Sequence, residues 1–250
     1  MSSPPTAVIT GGAGDIGGTI ARTLSRDGFR VTITDVLPEE TGRVRADELS
    51  VGMPVEYHHV DTTLAADVGA VIERGEGPLD VAVLCAGMVR AQPFLSVGPE
   101  VWRRTLDVNL TGAFLAAQAA ARRMVARKTE GVLIFVSSWV AERPWPEISA
   151  YSASKAGMNQ LMRSAALELS AHGIRANAVA PGIVMAGLAR TQFETEPQYA
   201  ARASRAIPLG RPQTPQQIAD AVAFLASPAA ESITGSVFTV DAGSSLGTLS

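Results

Sequence analysis

Two side chains in the sequence are suited to acting together on a proton. Tyr151 and Lys155 stand four residues apart in Tyr151-Ser152-Ala153-Ser154-Lys155, near the start of a segment with helical period. That spacing puts a phenol and an ammonium on one helix face, where their tips can cooperate. Ser138 lies 13 residues before Tyr151, just past a segment that reads as a buried strand. A hydroxyl there sits at the carboxyl edge of a parallel sheet, where ligands bind. Asn109, in Leu106-Asp107-Val108-Asn109-Leu110-Thr111-Gly112, falls in a long helical segment, and a polar amide in so apolar a stretch needs a partner.

A second set of residues is suited to holding phosphate. The run Thr6 to Thr10 leads directly into Gly11-Gly12-Ala13-Gly14-Asp15-Ile16-Gly17-Gly18, after which helical periodicity begins. Such a turn lets backbone amides approach a pyrophosphate, and the following helix N-terminus adds partial positive charge. Asp35 closes the second strand, 24 residues after Gly11. A carboxylate there accepts hydrogen bonds from an adenosine ribose and repels a 2'-phosphate. Neither Arg nor Lys stands in the glycine turn or directly after Asp35, so NAD is expected in preference to NADP.

These groups need a scaffold to bring them together. Short runs rich in branched residues read as strands at Thr6 to Thr10, Arg30 to Thr34, Val55 to Val60, Asp80 to Cys85, Gly131 to Ser137, Ile174 to Ala180 and Ser236 to Val240. Their continuous apolar character points to burial on both faces, as in a parallel sheet. Helical segments at Asp15 to Asp27, Leu64 to Arg74, Glu100 to Lys128, Ala150 to His172 and Pro215 to Ala226 are long enough for right-handed crossovers. The expected architecture is α/β: a single doubly wound Rossmann-type domain over residues 1–250, with a seven-stranded parallel sheet flanked by helices. Met185 to Arg211 lacks a strand signal and is expected to form short helices, a lid over the ligand cleft.

Composition agrees and excludes other classes. At 250 residues, 46% hydrophobic and 18% charged, the chain is neither a disulfide-stapled miniprotein nor disordered. A net charge of -3 without a basic run removes the electrostatic footprint of a nucleic-acid binder. Cys85 is the only cysteine, so no intrachain disulfide or thiolate cluster can form, and no metal is expected. The start Met1-Ser2-Ser3-Pro4-Pro5 lacks a basic region followed by an apolar stretch. With no segment of roughly 18 to 20 apolar residues to span a bilayer, a soluble cytoplasmic protein is expected.

In their order along the chain, Thr10-Gly11 to Gly17, Asp61, Ala86-Gly87, Asn109, Ser138, Tyr151 with Lys155, Pro181-Gly182 and Val240-Asp241-Ala242-Gly243 carry a resemblance. The chain resembles the compact branch of the short-chain dehydrogenase/reductase family over nearly its whole length. The resemblance implies that Tyr151 takes the proton of an alcohol while hydride leaves the same carbon for a nicotinamide, and protonates the alkoxide in reverse. A free phenol has a pKa of about 10, so acting as a base near neutrality requires a fall of roughly 3 units, or about 4 kcal/mol. Lys155 would supply much of it, helped by the cationic nicotinamide, and would bind the cofactor ribose. Ser138 would hydrogen-bond the substrate oxygen, and Asn109 would hold a water linking Lys155 to solvent. Gly11, Gly14, Asp15, Ile16 and Gly17 would hold the pyrophosphate side and Asp35 the ribose. Asp61 and Thr62 would contact adenine, with a helix N-cap as the competing role for Asp61. Ala86 and Gly87 would pass beneath the ribose, and Pro181, Gly182, Ile183 and Val184 would line the nicotinamide side.

Three positions depart from the compact branch. Asp15 takes the place of its second motif glycine, giving a turn more like that of the family's longer, extended branch; a capping role on the first helix is expected for it. Cys85 replaces an Asn that braces the central strand and is expected to be a small buried hydrophobe. Ala186 stands where a Thr often binds the nicotinamide carboxamide. Met88, Arg90, Trp139, Trp145, Ile148, Met185, Leu188 and Phe193 are pocket candidates that lean apolar. The reading is an NAD-dependent oxidoreductase interconverting a secondary alcohol and a ketone. An NADPH-dependent 3-oxoacyl thioester reductase and a non-catalytic NAD-binding scaffold are the alternatives. The segment Gly112 to Ala121 is apolar nearly all round, which together with the resemblance implies a homotetramer.

Overall fold

Each short apolar run takes its place in one sheet. The computed structural model describes residues 3–247; Met1, Ser2 and residues 248–250, the ends of the expected domain, lie outside the described residues. The strands are β1 (Thr6–Thr10), β2 (Arg30–Asp35), β3 (Val55–His59), β4 (Val81–Leu84), β5 (Val132–Val136), β6 (Arg175–Pro181) and β7 (Val237–Val240). All pair in parallel, in the order β3-β2-β1-β4-β5-β6-β7. Chain direction across the sheet reverses between β1 and β4, which opens a crevice at their carboxyl ends.

The helices cover both faces. Alternation along the strands sends Ile9, Ile33, Val83 and Ile134 toward α1 (Asp15–Arg26), α2 (Glu39–Leu49) and α9 (Pro215–Ala226). It sends Val8, Leu84, Leu133 and Phe135 toward α5 (Gly112–Arg127) and α6 (Ser149–Leu169), as a period of two requires. On α5 the buried face is built from Ala116, Ala117, Ala119 and Ala120, whose small side chains let that helix approach the sheet closely.

Two helical expectations are corrected. The segment Glu100 to Lys128 is not one helix: α4 (Pro99–Leu106) runs into a π-helical turn at Asp107–Thr111 before α5 begins. α3 (Ala65–Val68) is likewise continued by a π-turn at Gly69–Glu73. No helix is expected between β2 and β3 from periodicity, yet α2 fills that gap. Its buried face is only Gly42, Ala46 and Leu49, too weak an apolar stripe to show as periodicity.

The excursion after β6 forms α7 (Gly187–Thr195) and α8 (Pro197–Arg205). It is pinned at its base, where Gln213 N donates to Ile183 O at 2.9 Å and Met185 N donates to Gln213 O at 2.8 Å. Between those bonds, Ala186 to Ala189 lie beside the crevice, while Ala203 and Ile207 pack into the fold.

Candidate active site

The glycine turn folds as it does because two positions admit no side chain. A Cβ on Gly17 would strike the Gly11 carbonyl, and one on Gly11, whose φ is +65°, would lie 2.7 Å from Ala86 Cα. The turn therefore presses β1 against the end of β4. Thr10 Oγ1 seals that crossing by accepting from Cys85 N at 3.1 Å and Ala86 N at 3.2 Å. The end of β4 at Cys85 is thus braced from the neighbouring strand. Asp35 ties the turn to β2: Oδ2 accepts from Ala13 N at 3.2 Å and Oδ1 from Val36 N at 2.8 Å.

The turn opens into a cleft of about 590 Å³ at the carboxyl ends of the strands. Gly11, Gly14, Asp15, Ile16, Gly17, Asp35, Asp61, Thr62, Ala86, Gly87, Ser138, Tyr151, Lys155, Pro181, Gly182 and Val184 all line it. A second concavity, of about 600 Å³, lies around the amino ends of β1, β2 and β3. Position decides between them: only the first lies at the crevice where doubly wound sheets bind ligands.

Two expected residues do not line the cleft. Ile183 is 5% exposed and packs instead with Trp139, Ala203 and Ile207 beneath α8. Asn109 is wholly buried in the π-turn behind the cleft. Its Oδ1 accepts from Met88 N at 2.8 Å, and its Nδ2 donates to Met88 O at 2.9 Å and Ser154 Oγ at 3.1 Å. Ser154 Oγ in turn donates to Tyr151 O at 2.7 Å. Both amide hydrogens are therefore committed to clamping the segment after β4 onto α6. Only an acceptor position on Oδ1 is left for the expected water.

On α6, Lys155 is 3% exposed and donates from Nζ to Val136 O at 2.7 Å. The ammonium lies 5.6 Å from the centroid of the Tyr151 ring, so the pair meets in the cleft as expected. The electrostatics differ from expectation. Burial pushes the Tyr151 phenol up to about 12; the Ser138 hydroxyl pulls it down, and Cys85 raises it further. Lys155 donates to the β5 carbonyl, and burial brings its ammonium down to about 8. Burial also holds the Cys85 thiol at about 11, which keeps it protonated and inert near neutrality.

Other expectations are refined at the cleft's far end. Asp61 Oδ1 accepts from Thr63 N at 2.9 Å and Thr63 Oγ1 at 2.7 Å, and these bonds hold its carboxyl below the ordinary carboxylate range. The N-cap of α3 is Leu64, so Asp61 is not a helix cap. Asp15 does not cap α1 either, where the N-cap is Gly14 without a side-chain bond. Its Oδ2 accepts from Gly187 N at 2.8 Å and lies 3.2 Å from an Arg190 nitrogen.

Val36, Val60, Arg104 and Val108 also line the cleft, and the sequence reading missed them. Of these only Val36, a large apolar residue 58% exposed directly after Asp35, leaves a trace in the sequence. Arg104 reaches the site from α4, 3.8 Å from Asp61. Among the pocket candidates, Met88 and Leu188 line the cleft and Arg90 is exposed. Trp139, Trp145, Ile148 and Phe193 join Tyr199 and Tyr151 in one apolar cluster. Trp145 stands edge-on to Trp139 at 5.4 Å and to Tyr199 at 6.5 Å, with the Arg202 guanidinium 4.9 Å from its ring centroid.

The residues present suit a dinucleotide. Gly14 has only the Gly11 carbonyl near its missing Cβ, at 3.5 Å, and Gly87 would place a Cβ 3.7 Å from Lys155 Nζ. Both leave backbone open for close approach. Among the described residues, no group of three His, Cys, Asp or Glu is placed to hold a metal, and no helix is long and apolar enough to cross a membrane.

Comparison with known proteins agrees with this geometry. The family described as enoyl-(acyl carrier protein) reductase matches residues 11–245. A 3beta-hydroxysteroid dehydrogenase of Eggerthella lenta is 35% identical over 96% of this chain and 94% of its own. A cis-4-hydroxycyclohexanecarboxylate dehydrogenase of Sinomonas cyclohexanicum is 37% identical over 95% of each. Among solved structures, gox2181 superposes with a TM-score of 0.92 at 33% identity, over 98% of this chain and 97% of its own. A short-chain type dehydrogenase/reductase from Mycobacterium marinum gives 0.90 at 33%, with the same coverage. The chain belongs to the short-chain dehydrogenase/reductase family, oxidoreductases that bind a nicotinamide dinucleotide.

Proposed function

We propose that this protein is an NAD-dependent oxidoreductase interconverting a secondary alcohol and a ketone, with Tyr151 as the general acid and base. The observation that carries the reading is the convergence of Tyr151, Lys155 and Ser138 on one cleft, with the helix that bears the first two clamped through Asn109. The bound dinucleotide would supply the hydride carrier and, when oxidised, a positive ring. Ser138 orients the substrate oxygen. Tyr151, held protonated, is poised to donate its proton to that oxygen as the carbon becomes tetrahedral. Lys155 would hold the cofactor ribose, and proton exchange with solvent would pass by Asn109 Oδ1. Ser138 also stabilises charge developing on the oxygen.

Asp35 supports NAD over NADP, because its carboxylate lines the cleft and, among the described residues, has no basic partner. The aromatic cluster beside Tyr151 supports an apolar or mixed substrate. The relatives' names denote ring-borne secondary alcohols, and that class is our candidate here. The thioester reductase and the non-catalytic scaffold are disfavoured by Asp35 and by the intact catalytic set, respectively. The excursion carrying α7 and α8 acts as the lid. We further propose a cytoplasmic homotetramer.

The test follows the absorbance of reduced cofactor, in both directions, on a panel of secondary alcohols and ketones. Tyr151→Phe is expected to lower kcat about a thousandfold relative to wild type; equal rates would overturn the mechanism. NADH is expected to bind at least about tenfold tighter than NADPH, through repulsion between Asp35 and a 2'-phosphate, and the reverse order would overturn the cofactor assignment.

A further inference from the structure

The carboxylate of Asp15 stands between the N-termini of two helices. Asp15 is the first residue of α1, and its Oδ2 accepts at 2.8 Å from the N–H of Gly187, the first residue of α7. Arg190, one turn into α7, reaches the same oxygen at 3.2 Å. Asp15 and Gly187 are 172 residues apart in sequence and both line the cleft, so this contact fastens the lid to the glycine turn.

α7 does not cap itself. Its N-cap residue, Ala186, has the extended backbone of a capping Ser or Thr (φ -149°, ψ 150°) but no side-chain acceptor. The first amides of a helix require acceptors, and the positive end of the helix favours a negative charge. Gly187 makes the arrangement possible: its φ is +47°, and a Cβ would meet nothing within 4 Å, so glycine serves backbone direction here rather than space. With its N–H held by Asp15, that φ sets the direction in which α7 continues.

We propose that Asp15 is a positioning residue that caps the lid helix in trans, replacing the cap that Ala186 cannot form, and holds the lid against the cofactor cleft. The two departures at positions 15 and 186 then form one device. Because Asp15 Oδ2 is engaged by Gly187 and Arg190, its charge is directed into the lid and partly neutralised, away from the amides that would receive a pyrophosphate. The functional meaning rests on the dinucleotide reading of the cleft; the latch itself does not.

Hydrogen–deuterium exchange of α7 and α8 in the full chain, without cofactor, tests it. Asp15→Ala is expected to raise exchange in α7 about tenfold, through loss of a charge-assisted hydrogen bond and a half-exposed ion pair. Arg190→Gln leaves the first turn untouched, removes only the ion pair and is expected to raise exchange about threefold. Adding Ala186→Ser to Asp15→Ala is expected to recover about fivefold by giving α7 its own cap. Release of NADH, followed by stopped-flow fluorescence, is expected to accelerate in the order of lid opening. Unchanged α7 exchange in both Asp15→Ala and Arg190→Gln overturns the latch, and failure of Ala186→Ser to rescue overturns the capping claim. A variant series that opens the lid in an enzyme inactive on every alcohol and ketone sustains the latch and counts against the proposed reaction.

Discussion

Tyr151 and Lys155 were legible in the sequence as a pair, because spacing alone fixes a shared helix face. Their electrostatics were not, because these depend on where the ammonium points and how deeply it is buried. Lys155 is brought from 10.5 down to about 8 by burial, so its charged form weakens the fold while both folded and unfolded states are protonated. As pH rises through the interval from about 8 to 10.5, the folded state releases its proton first and stability attributable to this group rises. Lys155→Met is therefore expected to be more stable than wild type at pH 7, by about 2 kcal/mol. The gap should close above pH 8, as measured by urea midpoints across the range; a gap that widened with pH would contradict the assignment. Asn109 shows the same limit of sequence reading. Its need for a partner was evident, but its two bonds to Met88 arise from a π-turn that periodicity cannot reveal.

At the level of single elements, strands were readable to within a residue or so because branched apolar runs have few other uses. Helix α2 escaped because its contact with the sheet runs through an absence. A Cβ on Gly42 would overlap the Tyr57 ring, and that ring is fixed by its hydroxyl, whose single hydrogen is shared between Leu37 O at 2.6 Å and Asp35 O at 2.9 Å. Gly42→Ala would stabilise an exposed helix by about 1 kcal/mol. Here it is expected to destabilise by roughly 1 to 3 kcal/mol through overpacking, seen as a lower urea midpoint with an unchanged slope. Because Tyr57 braces the segment that carries Asp35, the same variant should also weaken NADH binding. The excursion after β6 was legible as a region without strand signal. Its contact with Asp15 was not, since it joins positions 172 residues apart.

For the molecule as a whole, the reversal between β1 and β4 explains why residues scattered from Gly11 to Val184 meet at one edge; the alternation of strands and helices made the parallel sheet legible, whereas the strand order came from the structure. Assembly is expected from the apolar character of α5, of which the single chain already buries half the residues, leaving Phe114 41% and Val125 38% exposed. Trp102 on α4 and Phe224 and Phe238 at the β7 edge are similarly part-exposed, which gives a second subunit apolar surface to cover. Sedimentation is expected to show a species of four chains and not one of 26.1 kDa, with Phe114→Glu shifting it to smaller forms; a monomer in the wild type would refute the assembly. The aromatic cluster packed against α8 has a further use. Of the three tryptophans, Trp139 and Trp145 sit together against Tyr199 of α8 while Trp102 stands apart on α4. The protein thus carries its own optical gauge, in which intrinsic emission follows movement of α8 against a steady background, with no dye attached.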